Sequence, residues 1–508
     1  MKVFYKYLFG FLSFSILILF YLFVTQLGNQ TLRYCLGYYL SSKTGNRLVV
    51  EKLEFKNYPK LVLDININRV SNVHLVGRVT KDNLDMDYLL TGKKYRWNSI
   101  KISSPINLKG HLKGEFSALD ITGDGLVFDG RSSYHFVKMG NRYKNINVLL
   151  TNVKSEEVLK FLKQKPLLKG RANIKSEFTT FAKYEKKGSS HIYMRRGFIS
   201  TVAPDIPFQL DATINFENVV YRVDGEIKSK VGTLTLKDAI YNKSREIGEG
   251  SYRLNIKELS YFEHFLKHQY HGELDTSGKI IYRDKNISIK GITNTFEGLL
   301  SYRYNNRSLN LNLDGVSLVK ILQQSNYPAL LSAKVYGDID YNIKDRIVLI
   351  NTELKEARFR ETKMTNMIYR ATGIDMLADI YNNSSFVAGY QNSRLSAILK
   401  IDNGRNHIYL NDAVLNSKTN SIDSKFDVKI EGEEIFGDIY GTLEHPRVSI
   451  DMKRLFKYQL EKNLGDFLGN NKIKEVKKIG QEMKREFKTI ELNDIKSRAS
   501  SFFSNFLD

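Results

Sequence analysis

Apolar and polar residues alternate along most of this chain, and that pattern constrains its fold more than any other feature. Between about residues 47 and 452 the dominant period is two, as a strand with one buried face requires. The intervening polar residues predict a mainly β chain whose other face meets water. We expect one apolar face along the strands, and its candidate residues are Leu61, Leu63, Ile65, Ile67, Leu210, Ile214, Phe216, Ile287, Ile289, Leu309, Leu311, Leu313, Ile339, Tyr341, Ile343, Phe426, Val428 and Ile430.

Dipeptides of the Asp-Gly and Asn-Gly type supply the positive backbone angles that tight hairpins need. They predict an antiparallel meander, in which each strand pairs with its neighbours in sequence. The pairs that interrupt the alternation are Asp124-Gly125, Asp129-Gly130, Asp224-Gly225, Asp314-Gly315 and Asn403-Gly404.

A recurring segment places paired apolar residues at helical spacing, then a turn, then a strand. Copies occupy residues 153–178, 259–282 and 316–341, with a weaker copy at residues 374–399. The spacing between copies is irregular, so a strict solenoid is not expected. The unit predicts strands added along one axis with short helical plugs, and ordinary hairpins with helical connectors remain an alternative.

An uncharged stretch, residues 7–32, lies near the N-terminus. Its apolar core, residues 8–24, approaches the roughly 20 residues that cross a bilayer as a helix. A cleaved signal peptide would have a shorter apolar region and a small-residue cleavage site, so we expect an uncleaved anchor at residues 7–27. Lys2 and Lys6 favour a cytoplasmic segment at residues 1–6, with residues 28–46 as a linker and the bulk of the chain on the far side.

The formal net charge of +22 at pH 7 favours an anionic partner. The basic residues are spread along the chain and a translocated domain would not meet DNA, so we expect no nucleic acid partner. Anionic lipid headgroups and a plain, soluble basic surface both remain open.

Beyond residue 452 the period changes to that of amphipathic helices. This tail, residues 453–508, is expected either to dock on a membrane or partner, or to pack on the end of the sheet. The basic residues expected to dock are Lys472, Lys474, Lys477, Lys478, Lys484 and Arg485.

The sequence contains no motif of nucleophilic, phosphate-transfer or metalloprotease chemistry. His264, His268 and His271 have helical spacing, but a strand-like run follows them and we expect no metal site. Cys35 is the only cysteine, which excludes an intramolecular disulfide. We therefore expect a protein that is not an enzyme and has no cofactor.

The apolar face of such a sheet must be covered by a helix, a second sheet or a ligand. About 25 strands at about 4.8 Å spacing would extend on the order of 100 Å, and open sheets of more than about ten strands usually curl. A curled sheet with its apolar face inward would form a groove that solvates acyl chains. The predicted fold class is mainly β: an N-terminal transmembrane helix, a long curled antiparallel β-sheet forming an apolar groove with short helical plugs, and C-terminal amphipathic helices.

Residues 441–451 read Gly-Thr-Leu-Glu-His-Pro-Arg-Val-Ser-Ile-Asp and precede an amphipathic segment that ends Leu-Glu-Lys-Asn-Leu-Gly-Asp-Phe-Leu-Gly. Together with the anchor, Thr44-Gly45-Asn46-Arg47, residues 119–130 and residues 396–436, this ending resembles AsmA-like proteins. The resemblance implies a repetitive β-groove at residues 47–350 and an AsmA-like C-terminal β region at residues 351–452. It further implies a periplasmic protein with one pass through the cell inner membrane, associated with phospholipid traffic toward the outer membrane and with envelope integrity.

The preferred hypothesis is a lipid-transfer conduit whose partners are phospholipid acyl chains and the inner membrane. The alternative is an outer-membrane protein assembly factor that binds a β-barrel partner through a sheet edge. A plain scaffold with a closed β-sandwich core is a third hypothesis. Whether one copy would reach from membrane to membrane stays open.

Overall fold

The structure, a computed structural model, shows a chain that is mainly β. It describes residues 25–55, 59–98, 100–199, 201, 203–266, 269–327, 329–361, 366, 375, 377–430, 432–442, 446–451 and 454. The strand pairs with a defined register are antiparallel, which confirms that part of the predicted fold class. The chain divides into two compact units: an N-terminal unit of Met1–Lys230 with Lys237–Arg245, and a C-terminal unit of Val231–Leu236 with Glu246–Asp508.

The N-terminal unit begins with helix α1 (Gln26–Thr44), and its strands then follow one another as a meander. The short β5–β6 hairpin stands apart, so β4 pairs directly with β7. Helix α2 (Ser155–Phe161) follows β10. The strands are β1 (Leu48–Phe55), β2 (Lys60–Ile67), β3 (Ser71–Val79), β4 (Asn83–Gly92), β5 (Tyr95–Trp97), β6 (Ile100–Ile102), β7 (Ile106–Glu115), β8 (Ala118–Val127), β9 (Gly130–Met139), β10 (Arg142–Lys154), β11 (Leu168–Phe181), β12 (Lys186–Ile199), β13 (Ala203–Glu217), β14 (Val220–Ser229) and β15 (Gly232–Asn242), the last of which is divided between the units.

The C-terminal unit repeats this arrangement with two helical interruptions. A 3₁₀ turn (Leu259–Phe262) runs into helix α3 (Glu263–Leu266), and helix α4 (Leu318–Gln324) follows β20. The strands are β16 (Ile247–Ile256), β17 (Leu274–Arg283), β18 (Asn286–Thr293), β19 (Leu299–Asn305), β20 (Ser308–Ser317), β21 (Leu331–Asn342), β22 (Ile347–Phe359), β23 (Ser384–Gln391), β24 (Arg394–Asp402), β25 (His407–Asn416), β26 (Ser421–Ile430), β27 (Glu433–Thr442) and β28 (Pro446–Ile450).

Helical segments occur where the repeat predicted them. Helix α2, the 3₁₀ turn with α3, and α4 open the first three copies, which confirms the helical segments and fits both helical plugs and helical connectors. Most of residues 362–376, where the fourth copy begins, lie outside the described residues. The compact units divide near residues 231–246, and the division at 350/351 that the resemblance implies stays a prediction. Alternation continues unchanged through both places, so it carries no signal for a unit boundary.

Helix α1 covers the outer edge of β1 and occupies most of the segment that we expected to be a linker. The Asn29 side-chain amide donates to the Leu53 carbonyl at 2.9 Å. The Ser41 hydroxyl accepts a hydrogen bond from the Leu48 backbone N–H at 2.9 Å. Gly37 is buried against the same strand, where a side chain would meet backbone atoms. These contacts satisfy backbone groups that an edge strand would otherwise offer to another chain.

The predicted membrane anchor and basic tail fall largely outside the described residues. Residues 7–24 of the anchor, and residues 453 and 455–508 of the tail, belong to that part. Among the described residues, no helix combines the length and apolar character that a bilayer crossing needs.

Two of the five predicted hairpin turns are confirmed. Asp129 has a φ of 57° in the turn before β9, and Gly404 has a φ of 85° between β24 and β25. Other turns use polar residues without glycine, such as Asn68-Arg69 and Asp284-Lys285, all with positive φ. Asparagine and aspartate tolerate this region because their side chains can hydrogen-bond locally.

The remaining three predictions are wrong, because the glycines lie inside strands. Gly125 is in β8 and Gly225 is in β14, while Gly315 accompanies a bulge in β20 with a φ of 67°. A Cβ at Gly125 would collide with the backbone of Asn107 on the neighbouring strand. Glycine in a strand often marks such a close approach, and a dipeptide does not distinguish that case from a turn.

Each unit has a buried core at one end of its strands. In the N-terminal unit α2 packs on a cluster that includes Val153 and Met194, which are 0% and 1% exposed. The Phe161 ring of α2 meets Phe128 edge-on, with centroids 5.4 Å apart. In the C-terminal unit α4 packs on a cluster that includes Val316, which is 0% exposed. The helices therefore cover only part of the apolar side of each sheet. The remaining apolar side chains are not covered by these helices.

Asp129 joins three strands of the N-terminal unit, and its loss tests that link. It lies 2.8 Å from Lys154 Nζ and 2.9 Å from Arg171 Nη2. The hydrogen bond from Lys154, with the charges of both cations, lowers the pKa of Asp129 from 3.8. A lowered carboxyl pKa contributes stability above its usual value, and the contribution is lost as the pH falls through the folded-state pKa. We expect Asp129→Asn to lower the urea midpoint at pH 7 but not at pH 2.

The matched control is Asp82→Asn. Asp82 is an exposed turn residue and makes no ion pair among the described residues. Its replacement should leave the midpoint unchanged at both pH values. Equal midpoints for Asp129→Asn and the wild type at pH 7 would contradict a stabilising role for this carboxylate.

Candidate functional site

The strand register assembles apolar side chains of the N-terminal unit into continuous rows on one side of the sheet. Each member of a row lies directly opposite the next on the adjacent strand. No charged residue interrupts the row that runs from β2 to β14. Its members are Ile65, Val73, Leu90, Leu108, Gly125, Ser132, Leu150, Ile174, Ile192, Ala212 and Gly225.

The C-terminal unit forms rows of the same kind. The row from β17 to β26 contains aliphatic and tyrosine side chains and no charge. Its members are Ile280, Ile289, Tyr304, Leu309, Tyr341, Val348, Tyr390, Leu395, Leu415 and Ile422. The side of each unit that carries these rows is called its apolar face below.

The sequence-predicted positions fall on the apolar faces wherever they lie in strands. The N-terminal set comprises Leu61, Leu63, Ile65 and Ile67 on β2 with Leu210, Ile214 and Phe216 on β13. The C-terminal set comprises Ile287 and Ile289 on β18, Leu309, Leu311 and Leu313 on β20, Ile339 and Tyr341 on β21, and Phe426, Val428 and Ile430 on β26. Ile343 lies in the turn after β21, so no register assigns it to a face.

Burial separates these positions into two kinds. Leu313, Ile67 and Ile430 are 4–6% exposed, and Leu313 belongs to the core beneath α4. A side chain this buried has little surface left for a ligand, which applies to Leu313, Ile67 and Ile430 alike, and their assignment as groove residues stays a prediction. Ile287 is 42% exposed, and Leu309 and Leu311 are partly exposed. Alternation identifies the face of a strand, but it does not reveal which part of that face a helix covers.

The end of the N-terminal apolar face away from α2 is lined by aromatic rings. Phe178 lies with its ring centroid 5.2 Å from that of Phe216, which in turn lies 5.0 Å from Tyr221. These rings are partly exposed rather than buried. The face thus changes along its strands, from a sealed core at one end to an accessible aromatic lining at the other.

A tyrosine pair bridges two glycines near the middle of the N-terminal face. Tyr88, Gly110, Gly123 and Tyr134 are directly opposite one another on β4, β7, β8 and β9. The two hydroxyls hydrogen-bond to each other above the glycines. A Cβ at Gly123 would collide with both hydroxyls. Burial raises the pKa of Tyr88 and of Tyr134, so both phenols stay neutral.

The C-terminal face contains the same arrangement of two tyrosines and two glycines. Tyr252, Gly278, Gly291 and Tyr302 lie opposite one another on β16 to β19, and the tyrosine hydroxyls are again hydrogen-bonded. Tyr302 also shares a hydrogen bond of 2.7 Å with the Thr276 hydroxyl. Each face therefore offers a small neutral polar group within apolar surroundings.

Sequence reasoning missed both tyrosine bridges. The sequence pattern marks a glycine after aspartate as a turn signal, and it does not distinguish tyrosine at an apolar position from leucine. The available signal was the spacing of two residues, which puts side chains on the same face of a strand. Tyr88 continues the series Leu84, Met86 and Leu90, and Tyr302 precedes Tyr304 by two residues. The bridge itself depends on the pairing of the strands, and the spacing within a strand does not specify that pairing.

The opposite, polar face carries cross-strand ion pairs. His191 Nε2 lies 2.8 Å from Asp211, and Arg253 Nη2 lies 2.9 Å from Asp275. This face is not uniformly polar, because Val387 is 43% exposed there. A mixed face of this kind is ordinary for protein surfaces.

The histidine cluster does not form one site in the described part of the chain. His264 lies in α3, and the His271 imidazole lies 3.8 Å from Glu258, while His268 is outside the described residues. Within the described ranges, no group of three or more metal-ligating side chains converges. The docking residues Lys472, Lys474, Lys477, Lys478, Lys484 and Arg485 also lie outside those ranges.

The chain matches no family model, no curated protein and no solved structure.

Proposed function

We propose that this chain is an inner-membrane-anchored periplasmic β-groove protein that moves or shields phospholipid between the inner and outer membranes and so supports envelope integrity. The observation that carries the proposal is the set of uncharged rows that continue across consecutive strands of each unit. Much of each row is partly exposed, as expected of a surface that meets an apolar ligand. Large exposed apolar patches on proteins generally mark binding sites.

Acyl chains are suitable occupants of such a face. A continuous strip without charge can contact a methylene chain along its length, and each methylene removed from water is worth about 0.8 kcal/mol. Leu309 and Leu311 lie in adjacent rows, and Tyr341 and Ile339 lie opposite them on the next strand. The tyrosine bridges add neutral hydroxyl oxygens to this strip without the cost of a buried charge.

Helix α1 supports the membrane-anchored part of the proposal. It follows the uncharged residues 7–25 directly and contains no acidic residue. Tyr34 and Tyr38, one turn apart, are 77% and 71% exposed, and Leu27 is 67% exposed on the preceding turns. Tyrosines are enriched where proteins meet the membrane interface. The side of α1 away from β1 thus suits the headgroup region next to an N-terminal span.

Site-specific photo-crosslinking in cells tests the apolar face as the lipid site. A benzophenone amino acid in place of Leu311 should form a covalent adduct whose added mass is that of a phospholipid. Position 387 provides the matched control, because Val387 is 43% exposed on the polar face of the same unit. Adducts at position 311 but not at 387 are expected. Absence of lipid adducts at both 311 and 341 would contradict the proposal, whatever lipid surrounds the anchor.

One observation favours the alternative function of an assembly factor that binds an outer-membrane β-barrel. Among the described residues, β28 pairs only with β27, whereas α1 covers the edge of β1. An unpaired edge can accept a strand from another protein. The same crosslinker in place of Ser449 should then capture a barrel protein and no lipid.

A further inference from the structure

Three cations stand directly opposite one another on the polar face of the C-terminal unit. Lys279 on β17 is opposite Lys290 on β18, which is opposite Arg303 on β19. Neighbouring strands are about 4.8 Å apart, so the cation ladder formed by these three residues spans about 10 Å. Like charges directly opposite in a sheet are destabilising. The ladder therefore incurs an electrostatic cost that a bound anion would relieve.

Several cations on this face are matched with carboxylates, but those of the ladder are not. Lys334 Nζ, for example, lies 3.0 Å from Glu356, and Lys429 Nζ lies 3.0 Å from Glu434. Lys279, Lys290 and Arg303 are exposed, and none of them forms an ion pair with another described residue.

Two carboxylates beyond the Arg303 end of the ladder are engaged by amides, and Glu249 of β16 lies diagonal to Lys279 at the other end without forming an ion pair with it. The Asn312 amide donates to Asp338 at 2.9 Å, and the Asn310 amide donates to Asp340. These acids lie on β21, beyond β20, at the far border of the ladder. They limit the positive surface on one side and do not neutralise it.

The ladder lines an open depression of about 620 Å³. Its wall also contains the hydroxyl-bearing Ser277 and Ser301, the apolar Ile281, Ile292 and Leu311, and Asp338 at its border. Lysine ammonium groups act as point charges for phosphate, and the arginine fork can bind two phosphate oxygens. A depression of this size can hold a phosphate group together with the small polyol or second phosphate attached to it.

The N-terminal unit provides an internal comparison. A depression of about 480 Å³ lies over the glycines of its own tyrosine bridge, at the equivalent place. There, however, Lys175 is 2.7 Å from Glu177, and the imidazoles of His111 and His135 face aspartates at 3.1 Å or less. The unmatched positive charge belongs to the C-terminal unit and is not a general property of this fold.

We infer that the cation ladder is a binding site for a phosphate-bearing ligand on the polar face. The site is independent of the acyl-chain proposal, since it lies on the opposite side of the sheet. The ligand chemistry is a phosphate ester or a diphosphate, which a phospholipid headgroup or a soluble phosphate compound could present.

Titration calorimetry on the full chain in a neutral detergent tests the site with two acyl-free probes. Glycerol 3-phosphate represents the phospholipid headgroup, and inorganic pyrophosphate represents a soluble diphosphate. We expect at least one probe to bind, with its affinity reduced about tenfold or more in Lys279→Gln/Lys290→Gln/Arg303→Gln. Tighter binding of glycerol 3-phosphate supports a headgroup as the source, and tighter binding of pyrophosphate supports a soluble ligand.

The matched control is Lys344→Gln/Arg394→Gln/Lys400→Gln, which removes the same charge from exposed positions of the same unit outside the ladder. Its affinity should stay within about twofold of the wild type. Two results would overturn the inference: no binding of either probe to the wild type, or equal losses in the two triple variants. Neither result bears on lipid crosslinking at position 311, so the two proposals fail separately.

Discussion

A chain carrying Leu309→Asp and Leu311→Asp is expected to transfer fluorescent phospholipid between vesicles about 100-fold more slowly than the wild type. Each leucine buried against an acyl chain contributes roughly 1.5–3 kcal/mol, and about 1.4 kcal/mol corresponds to a tenfold change. Both leucines are partly exposed, on adjacent positions of the C-terminal apolar face. The two carboxylates would also place charge where the acyl chain must lie.

The control for this experiment is a second double variant, Leu89→Asp with Val387→Asp. Leu89 and Val387 are 40% and 43% exposed on the polar faces, so the change in charge is the same but avoids the apolar faces. Transfer by the control should match the wild type. Urea midpoints for both variants show whether a slow rate reflects unfolding. Equal transfer by the two double variants would rule out Leu309 and Leu311 as lipid contacts.

Replacement of Val153 by Asp is expected to destabilise the N-terminal unit by on the order of 4 kcal/mol, because it buries a charge without a partner. Val153 is 0% exposed in the core beneath α2. Trp97 is the only tryptophan of the chain and lies in β5 of the same unit. Its fluorescence during urea unfolding of the full chain therefore reports on this unit.

Leu149→Asp is the matched control for Val153→Asp. The two residues share β10, but Leu149 is 47% exposed on the polar face, opposite Lys175. Its replacement should change the Trp97 transition little. A midpoint for Val153→Asp equal to that of Leu149→Asp would contradict the assignment of Val153 to a stabilising core.

Much of the candidate site was predictable because side chains alternate across a strand for purely geometric reasons. Spacing predicts that Leu309, Leu311 and Leu313 share one face of a strand, and the register places Leu309 directly opposite Tyr341. The tyrosine bridges were not predictable in this way. They require Tyr252 and Tyr302, 50 positions apart in the chain, to meet over glycines of two intervening strands. The cation ladder likewise arises only when three strands align.

The sequence by itself determined the local structure: strands with one apolar side, short helices between some of them, and which residues share a face. These properties follow from interactions between near neighbours in the chain. Only the tertiary structure decided that Leu313 is sealed beneath α4 while Leu311 stays accessible, and that Gly125 and Gly225 lie within strands. Coverage and register depend on contacts between distant segments, and a binary pattern of apolar and polar residues is compatible with many such pairings.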